Sequence, residues 1–259
     1  MMEQEDIVIS YFLKAIGPWN EHIVVSGGYA LIIYRLYLTN QHAGIYPVGT
    51  RDIDSLISRK VPKIEISLAE SLEKAAFVQT FKDVNNPATE CYVKNIDGEI
   101  WEVEFLTDRS TRGDKLSNLH IHDADVTAQQ LNYIELPLKH KKSFKTFSGE
   151  SGYVASPSAW IFQKGLTFTK RKDKVKTYKD LYGIWYVTTQ LGDLSELAIH
   201  EFSSLAQDNS SWFKTFKKHI SKWLESSFPI DWARLEGQDP SGNLNKNAFT
   251  DAMMKLFEV

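Results

Sequence analysis

The sequence has very little cysteine: Cys91 is the only one among 259 residues. A disulfide within the chain is therefore impossible, and no zinc site built on several cysteines can form. No uninterrupted apolar run reaches the roughly 20 residues that a membrane-spanning helix needs. Residues 1–6 are acidic and lack the basic start of a secretory signal peptide. Together these absences predict a cytoplasmic protein without a membrane partner.

The chain does contain enough apolar surface for a large core. Hydrophobic residues make up 42% of the sequence and aromatic residues 12%, which excludes an intrinsically disordered type. The length allows one large domain or two modest ones. The net charge of −3 by itself indicates nothing about nucleic acid.

The sequence pattern changes from mixed to helical near residue 150. In the first part, helices are predicted at 4–16, 29–37 and 67–76, and strands at 23–25, 49–57, 77–82, 90–95 and 99–107. Residues 131–138 suit a short helix or a strand. In the second part, helices are predicted at 157–169, 173–191, 193–207, 211–226 and 245–257, with breaks at Pro229 and at 237–242. This pattern predicts an α+β fold with domains 1–150 and 151–259.

Two aspartates, Asp52 and Asp54, lie one residue apart in the predicted strand 49–57. Side chains at i and i+2 of a strand point to the same face, so the two carboxylates project side by side. Such a pair needs a compensating charge, which a divalent cation, a basic side chain or solvent can supply. The pair alone leaves these alternatives open.

A glycine pair, Gly27-Gly28, stands between the predicted strand 23–25 and the helix 29–37. Glycines let the backbone approach a ligand closely, and a helix start offers N–H groups that suit a phosphate. A tight turn without a ligand is the alternative, and for the glycine pair alone it is favoured.

A second pair of carboxylates, Glu102 and Glu104, lies on the predicted strand 99–107, which the turn Asp97-Gly98 joins to the strand before it. The two share a face. In isolation they indicate a half-exposed polar face. Beside the aspartates, a third carboxylate would complete the set that a two-metal phosphoryl or nucleotidyl transfer site needs.

Two further features leave alternatives open. His120 and His122, followed by Asp123 and Asp125, could bind a metal ion on a strand face or could be solvated. A basic segment between residues 139 and 179 indicates either a polyphosphate or nucleic-acid surface or a solvated helix face. Its members are Lys139, Lys141, Lys142, Lys145, Lys164, Lys170, Arg171, Lys172, Lys174, Lys176 and Lys179.

Three motifs in order along the chain resemble the nucleotidyltransferase superfamily: the strand–Gly27-Gly28–helix unit, Thr50-Arg51-Asp52-Ile53-Asp54 and Val103-Glu104-Phe105-Leu106-Thr107. Residues 156–164, followed by Lys179-Asp180-Leu181-Tyr182, are similar to the later motifs of AbiEii-type toxins. The resemblance covers about residues 22–187. It implies a nucleotidyltransferase-like mixed sheet with flanking helices, followed by a helical domain that completes the active site.

The resemblance also implies roles for individual residues. Those expected to bind the triphosphate are Ser26, Gly27, Gly28 and Arg51, and those expected to hold two Mg²⁺ ions are Asp52, Asp54 and Glu104. Glu104 is preferred to Glu102 as the third acid because it lies among the apolar residues of the motif Val103-Glu104-Phe105-Leu106-Thr107, which resembles that of the family. Lys164 would neutralise phosphate charge, and Asp180 would position or deprotonate the acceptor or orient Lys164.

The implied activity is magnesium-dependent transfer of a nucleoside monophosphate from an NTP to an acceptor hydroxyl. The acceptor would be RNA such as tRNA, which the basic segment favours, or a protein side chain. The likeness to AbiEii-type proteins implies a toxin with a cognate antitoxin. A small-molecule nucleotidyltransferase of the antibiotic-modifying kind is an alternative that the lysines disfavour. A second alternative is an inactive nucleotidyltransferase fold that binds RNA or protein. The presence of Asp52, Asp54, Glu104 and Lys164 counts against this alternative.

Overall fold

A computed structural model describes residues 4–40, 47–83, 87–109 and 118–258. The chain forms two compact units, Met1–Ile33 with Thr50–Ala155 and Tyr34–Gly49 with Ser156–Val259, termed here the sheet unit and the helical unit. Gly44, in the loop that precedes the predicted strand 49–57, and residues 113–117, which precede His120 in a polar stretch of sequence, lie outside the described residues. The predicted domain boundary after residue 150 falls at the start of a strand that belongs to the sheet unit.

The sheet unit contains four helices and nine strands within its described residues. The helices are α1 (Gln4–Ile16), α2 (Gly27–Ile33), α3 (Leu68–Lys74) and α4 (Glu135–Lys139), with a 3₁₀ turn at Gly17–His22. The strands are β1 (Ile23–Val25), β2 (Asp52–Ile57), β3 (Val78–Phe81), β4 (Glu90–Ile96), β5 (Glu99–Asp108), β6 (Asn118–Ile121), β7 (Val126–Leu131), β8 (Lys141–Lys145) and β9 (Ser151–Ala155).

The strands form one mixed sheet in the order β3-β4-β5-β2-β1-β9-β8, with β7 beside β5 and β6 beside β7. The β2–β5, β1–β9 and β5–β7 pairs are parallel, and the other neighbours are antiparallel. Because β2 and β5 are parallel neighbours, the two strands that carry the acidic pairs lie side by side.

The two faces of the sheet differ in polarity along β2 and β5. Trp101, Val103 and Phe105 of β5 and Ile53 of β2 are buried on one face. The acidic residues between them point to the opposite face, as the alternation of a strand requires. The apolar side chains are therefore withdrawn into the core and leave the carboxylates on a separate surface.

The helical unit begins with a π-helical turn at Tyr34–Leu38. Its helices are α5 (Pro157–Thr167), α6 (Lys174–Thr189), α7 (Asp193–Asp208), α8 (Ser210–Ser226), α9 (Pro229–Glu236) and α10 (Lys246–Phe257), with a 3₁₀ turn at Phe168–Lys170. Ser156 caps the start of α5 by accepting a hydrogen bond from Ala159 N at 3.2 Å. Gly165 lets α5 and α8 approach closely, since a Cβ at this position would lie 2.1 Å from Cε2 of Phe216.

The predicted mixed sheet with flanking helices, followed by helices, is confirmed. The break at Pro229 is confirmed, because α8 ends at Ser226 and this proline begins a new helix, α9, which was not predicted. Strand β8 escaped prediction because its five residues are mostly lysine and only Phe144 is buried. No helix among the described residues is both long enough and apolar enough to cross a membrane.

Candidate active site

The glycine pair begins helix α2 instead of preceding it. Gly27 has a φ of +60°, a conformation that residues with a side chain rarely adopt. A Cβ on Gly27 would lie 1.9 Å from Oδ2 of Asp54, and a Cβ on Gly28 would lie 3.0 Å from Cγ2 of Thr50. Strand pairing and a hydrogen bond from Ser26 N to the Asp54 carbonyl oxygen at 2.8 Å hold this turn against β2. The structure thus brings Ser26, Gly27 and the aspartate strand together.

The four acidic residues of β2 and β5 lie in matched positions. Asp52 pairs with Glu102 and Asp54 pairs with Glu104 in the parallel ladder. Paired residues on adjacent strands point to the same face, and the strands lie about 4.8 Å apart. The predicted acids Asp52, Asp54 and Glu104 are therefore placed on one surface, and so is the competing residue Glu102.

Asp52 and Asp54 fit a magnesium ion by their donor chemistry. Mg²⁺ prefers oxygen ligands and is commonly held by one or two carboxylates together with substrate phosphates. Asp52 is exposed and Asp54 is half-buried, and the missing Cβ of Gly27 leaves room for the Asp54 carboxylate. No group of three or more His, Cys, Asp and Glu side chains suited to a metal ion occurs among the described residues. The assignment of Glu104 as a metal ligand stays a prediction.

A lysine that the sequence did not single out, Lys82, contacts the acids of β5. Its ammonium group lies 2.5 Å from Oε2 of Glu102 and also donates a hydrogen bond to Oε1 of Glu104. These two carboxylates hold the pKa of Lys82 above its ordinary value, against the opposing effect of burial. Nothing in the local sequence around residue 82 signals this contact, because the lysine crosses from β3 past β4 to reach β5.

Arg51 is not brought to the acidic face. Its guanidinium donates to Oε1 of Glu99 at 2.7 Å, and Oε2 of the same carboxylate accepts from Gln4. The partner residue Glu99 follows the turn of the β4–β5 hairpin, three residues before Glu102. The predicted contact of Arg51 with the triphosphate therefore has no support from its position.

His120 and His122 form a local contact with each other and with Asp125. The rings of His120 and His122 have centroids 4.9 Å apart, and Nε2 of His120 lies 3.5 Å from Oδ1 of Asp125. His122 and Asp123 are exposed. Like the acids above, these residues belong to no metal-suited group in the described part of the chain, so the solvated alternative describes them better.

In the helical unit, Lys164 and Asp180 form a buried ion pair. Nζ of Lys164 lies 3.0 Å from Oδ1 of Asp180, and the two side chains are 9% and 7% exposed. Arg171 adds a second cation, since its Nε lies 2.7 Å from Oδ2 of the same carboxylate. The predicted link between Lys164 and Asp180 is therefore present as a direct contact, and Arg171 is a partner that the sequence placed only in the basic segment.

Burial and the two neighbouring cations, Lys164 and Arg171, determine the protonation of Asp180. Burial alone would raise the pKa of this carboxyl, but Lys164 and Arg171 outweigh burial and hold the pKa below its usual value. A carboxylate held by two cations is a poor proton acceptor. Of the alternatives for Asp180, the contacts support the one in which it orients Lys164.

The helical unit contains a second basic region, which is formed by residues of α8 and of the 3₁₀ turn after α5. Nδ1 of His219 on α8 lies 3.2 Å from the carbonyl oxygen of Gly165, so α8 packs beside the end of α5 and the turn that carries Lys170. Burial lowers the pKa of His219, the hydrogen bond with the Gly165 carbonyl opposes this effect, and the charges of Lys170, Lys218 and Lys222 lower the pKa further. Lys170, Lys218 and Lys222 are exposed and are termed here the lysine cluster.

The spacing of lysines along α8 is a sequence feature that indicates part of this cluster. Lys214, Lys218 and Lys222 follow one another at intervals of four residues, which places them along one face of a helix. Of the basic segment 139–179, in contrast, Lys164 and Arg171 are occupied by Asp180.

Replacement of Gly27 by alanine is expected to destabilise the sheet unit. The φ of +60° and the overlap with Asp54 together predict a loss of about 1–3 kcal/mol in the free energy of unfolding. Gly28→Ala is the matched control, because φ is ordinary there and the nearest atom is a methyl carbon at 3.0 Å. Urea unfolding of both variants measures the difference, and equal midpoints would contradict the steric argument.

Replacement of Asp180 by asparagine is expected to lower the free energy of unfolding by about 3–5 kcal/mol at pH 7, because it leaves Lys164 buried without its anion. Urea unfolding of wild type, Asp180→Asn and the exposed control Asp251→Asn measures this loss.

The pH dependence of that loss has a defined sign. The folded pKa of Asp180 is lowered, so its stabilisation is complete above the unfolded value of about 3.9. It disappears only as the pH falls through the lower folded pKa. The difference between wild type and Asp180→Asn should hold from pH 8 to pH 5; a difference that already shrinks over this range would count against the ion pair.

Comparison with known proteins gives the family of this chain. Among solved structures, an antigenic nucleotidyltransferase-like protein from Paracoccidioides brasiliensis is 14% identical, with a TM-score of 0.40; the match covers 82% of this chain and 93% of that one. No curated protein matches the sequence. The model of a family described as Nucleotidyltransferase matches residues 8–206. The chain therefore belongs to this nucleotidyltransferase family.

Proposed function

We propose that this protein transfers a nucleoside monophosphate from an NTP to a hydroxyl group of RNA, with magnesium held by Asp52 and Asp54. The observation that carries the proposal is the contact between the glycine turn and the acidic pair: the Gly27 backbone approaches Asp54 so closely that no side chain fits between them. A phosphate-binding backbone next to metal-binding carboxylates is the arrangement that nucleotidyl transfer requires.

Each part of the arrangement has a chemical role in this proposal. The acceptor oxygen attacks the α-phosphorus, the bond to the bridging oxygen of the β-phosphate breaks, pyrophosphate leaves, and the hydroxyl proton passes to water. Asp52 and Asp54 would hold Mg²⁺, which when bound stabilises charge on the phosphate oxygens. The Gly27–Gly28 backbone would let the triphosphate lie against β2 without steric conflict.

The lysine cluster supports RNA as the acceptor. Lys170, Lys218 and Lys222 are exposed near His219 on the helical unit, and clustered positive charge attracts the phosphates of RNA. A cationic small molecule, such as an aminoglycoside, would instead be attracted by an acidic surface. The charge of this region thus favours RNA over a cationic antibiotic.

Loss of the aspartate pair is expected to abolish transfer. Asp52→Asn and Asp54→Asn keep the side-chain shape but remove the negative charge, and each should lower the transfer of label from α-³²P-NTPs to total tRNA by about a hundredfold or more. The matched control is Asp123→Asn, an exposed residue outside this surface. Wild type without transfer to RNA, or unchanged transfer by both variants, would refute the proposed activity.

The same variants test the toxin role, which rests on the resemblance of residues 156–164 and Lys179-Asp180-Leu181-Tyr182. We propose that expression of the wild type arrests growth and that a cognate antitoxin relieves the arrest. Growth curves of cells that express wild type or Asp54→Asn at equal levels measure this. Arrest by both forms would separate toxicity from nucleotidyl transfer.

Neutralising the lysine cluster is expected to weaken RNA binding. The triple variant Lys170→Ala/Lys218→Ala/Lys222→Ala should bind tRNA about tenfold more weakly, and the slope of log K against log salt should decrease by about 2–3, because fewer counterions are released. Fluorescence anisotropy at several salt concentrations measures both quantities.

The matched control removes three ion-paired lysines of the sheet unit, Lys14, Lys74 and Lys139, and thus the same net charge. If this control weakens binding as much as the cluster variant does, general charge and not the cluster attracts RNA.

A further inference from the structure

The acids of β5 already have a cation. Lys82 bonds to both Glu102 and Glu104, one through each of two N–H groups of the ammonium. The charge of Glu102 and Glu104 is therefore compensated within the fold, before any metal ion binds.

The backbone of Lys82 is held by its neighbours, and its exposed side chain reaches the acids of β5. Its backbone N donates to the carbonyl oxygen of Thr89 at 2.8 Å, and Oδ1 of Asp83 accepts from Thr89 N at 3.0 Å. These bonds hold the lysine backbone at the end of the β3–β4 pair. From there the side chain extends to β5 across β4, where Thr80 pairs with Cys91 and Cys91 pairs with Glu104 in the ladder.

The ammonium competes with a metal ion for the same oxygens. A second Mg²⁺ on Glu104 would lie within a few ångströms of the Lys82 charge and would have to displace it or share Glu104 with it. Two adjacent cations repel, and Mg²⁺ also demands a nearly ideal arrangement of its ligands. A lysine in this place provides a positive charge and, unlike Mg²⁺, does not require an octahedral set of ligands.

We propose that Lys82 serves as the permanent counter-ion of Glu102 and Glu104, so that the site takes one magnesium ion, on Asp52 and Asp54, and not two. The inference rests on the nucleotidyl transfer proposed above and specifies its metal content. Glu104 is then a positioning residue that holds Lys82 and is not a ligand of the metal.

The number of bound ions tests this role without measuring activity. Wild type, Lys82→Met, Lys82→Arg, Glu104→Gln, Asp54→Asn and the surface control Lys74→Met are dialysed against Mn²⁺ with each α,β-methylene NTP analogue in turn. Protein-bound manganese is then counted by atomic spectrometry against nucleotide-only blanks. Circular dichroism confirms that each variant is folded, and a variant that is unfolded is replaced in the count by Lys82→Gln or Glu104→Ala.

The expected results differ among the variants. Wild type, Lys82→Arg, Glu104→Gln and Lys74→Met should each bind one ion per chain, and Asp54→Asn should bind it at least tenfold more weakly. Lys82→Met should bind a second ion, because Glu102 and Glu104 then lack their cation.

Three results would overturn the inference while nucleotidyl transfer stands: two ions in wild type, loss of the ion in Glu104→Gln, or a single ion in Lys82→Met. The absence of any bound ion in wild type with all four analogues would instead overturn the proposed function, and this inference with it.

Discussion

Between the backbone of Gly27 and the carboxylate of Asp54 there is no space for a side chain, because a Cβ would stand 1.9 Å from Oδ2. The turn that makes this approach also needs a φ of +60°, so glycine satisfies two constraints at once. The hydrogen bond from Ser26 N to the Asp54 carbonyl oxygen continues the β1–β2 ladder to this point. Consequently the end of β1, the start of α2 and the acidic strand cannot move independently of one another.

Charge compensation on the acidic face follows from the strand order. The parallel β2–β5 register places Asp54 beside Glu104, and such proximity is costly unless cations are supplied. Lys82 supplies one to β5 within the fold. The magnesium ion proposed on Asp52 and Asp54 would supply another to β2. A stability requirement of the sheet and the metal requirement of the proposed reaction would then be met on neighbouring strands.

The helical unit uses its positive charge in two different ways. Lys164 and Arg171 form ion pairs with the buried carboxylate of Asp180. The carboxylate and the cations stabilise one another, and the contact with Lys164 links α6 to α5. Lys218 and Lys222 are exposed beside His219, where their positive charge suits the RNA contact proposed above. Burial thus distinguishes the ion-paired Lys164 from the exposed lysines of the cluster.

The sequence by itself determined the features that depend on neighbouring residues. Strand alternation placed Asp52 with Asp54 and Glu102 with Glu104, and helical periodicity located most of the last helices. The motif order indicated the nucleotidyltransferase superfamily, which the family match over residues 8–206 supports. Only the tertiary structure decided that β5 lies beside β2, that Lys82 reaches Glu104, and that Arg51 turns to Glu99. These contacts join residues distant along the chain, and their existence depends on strand order and register, which local periodicity does not encode.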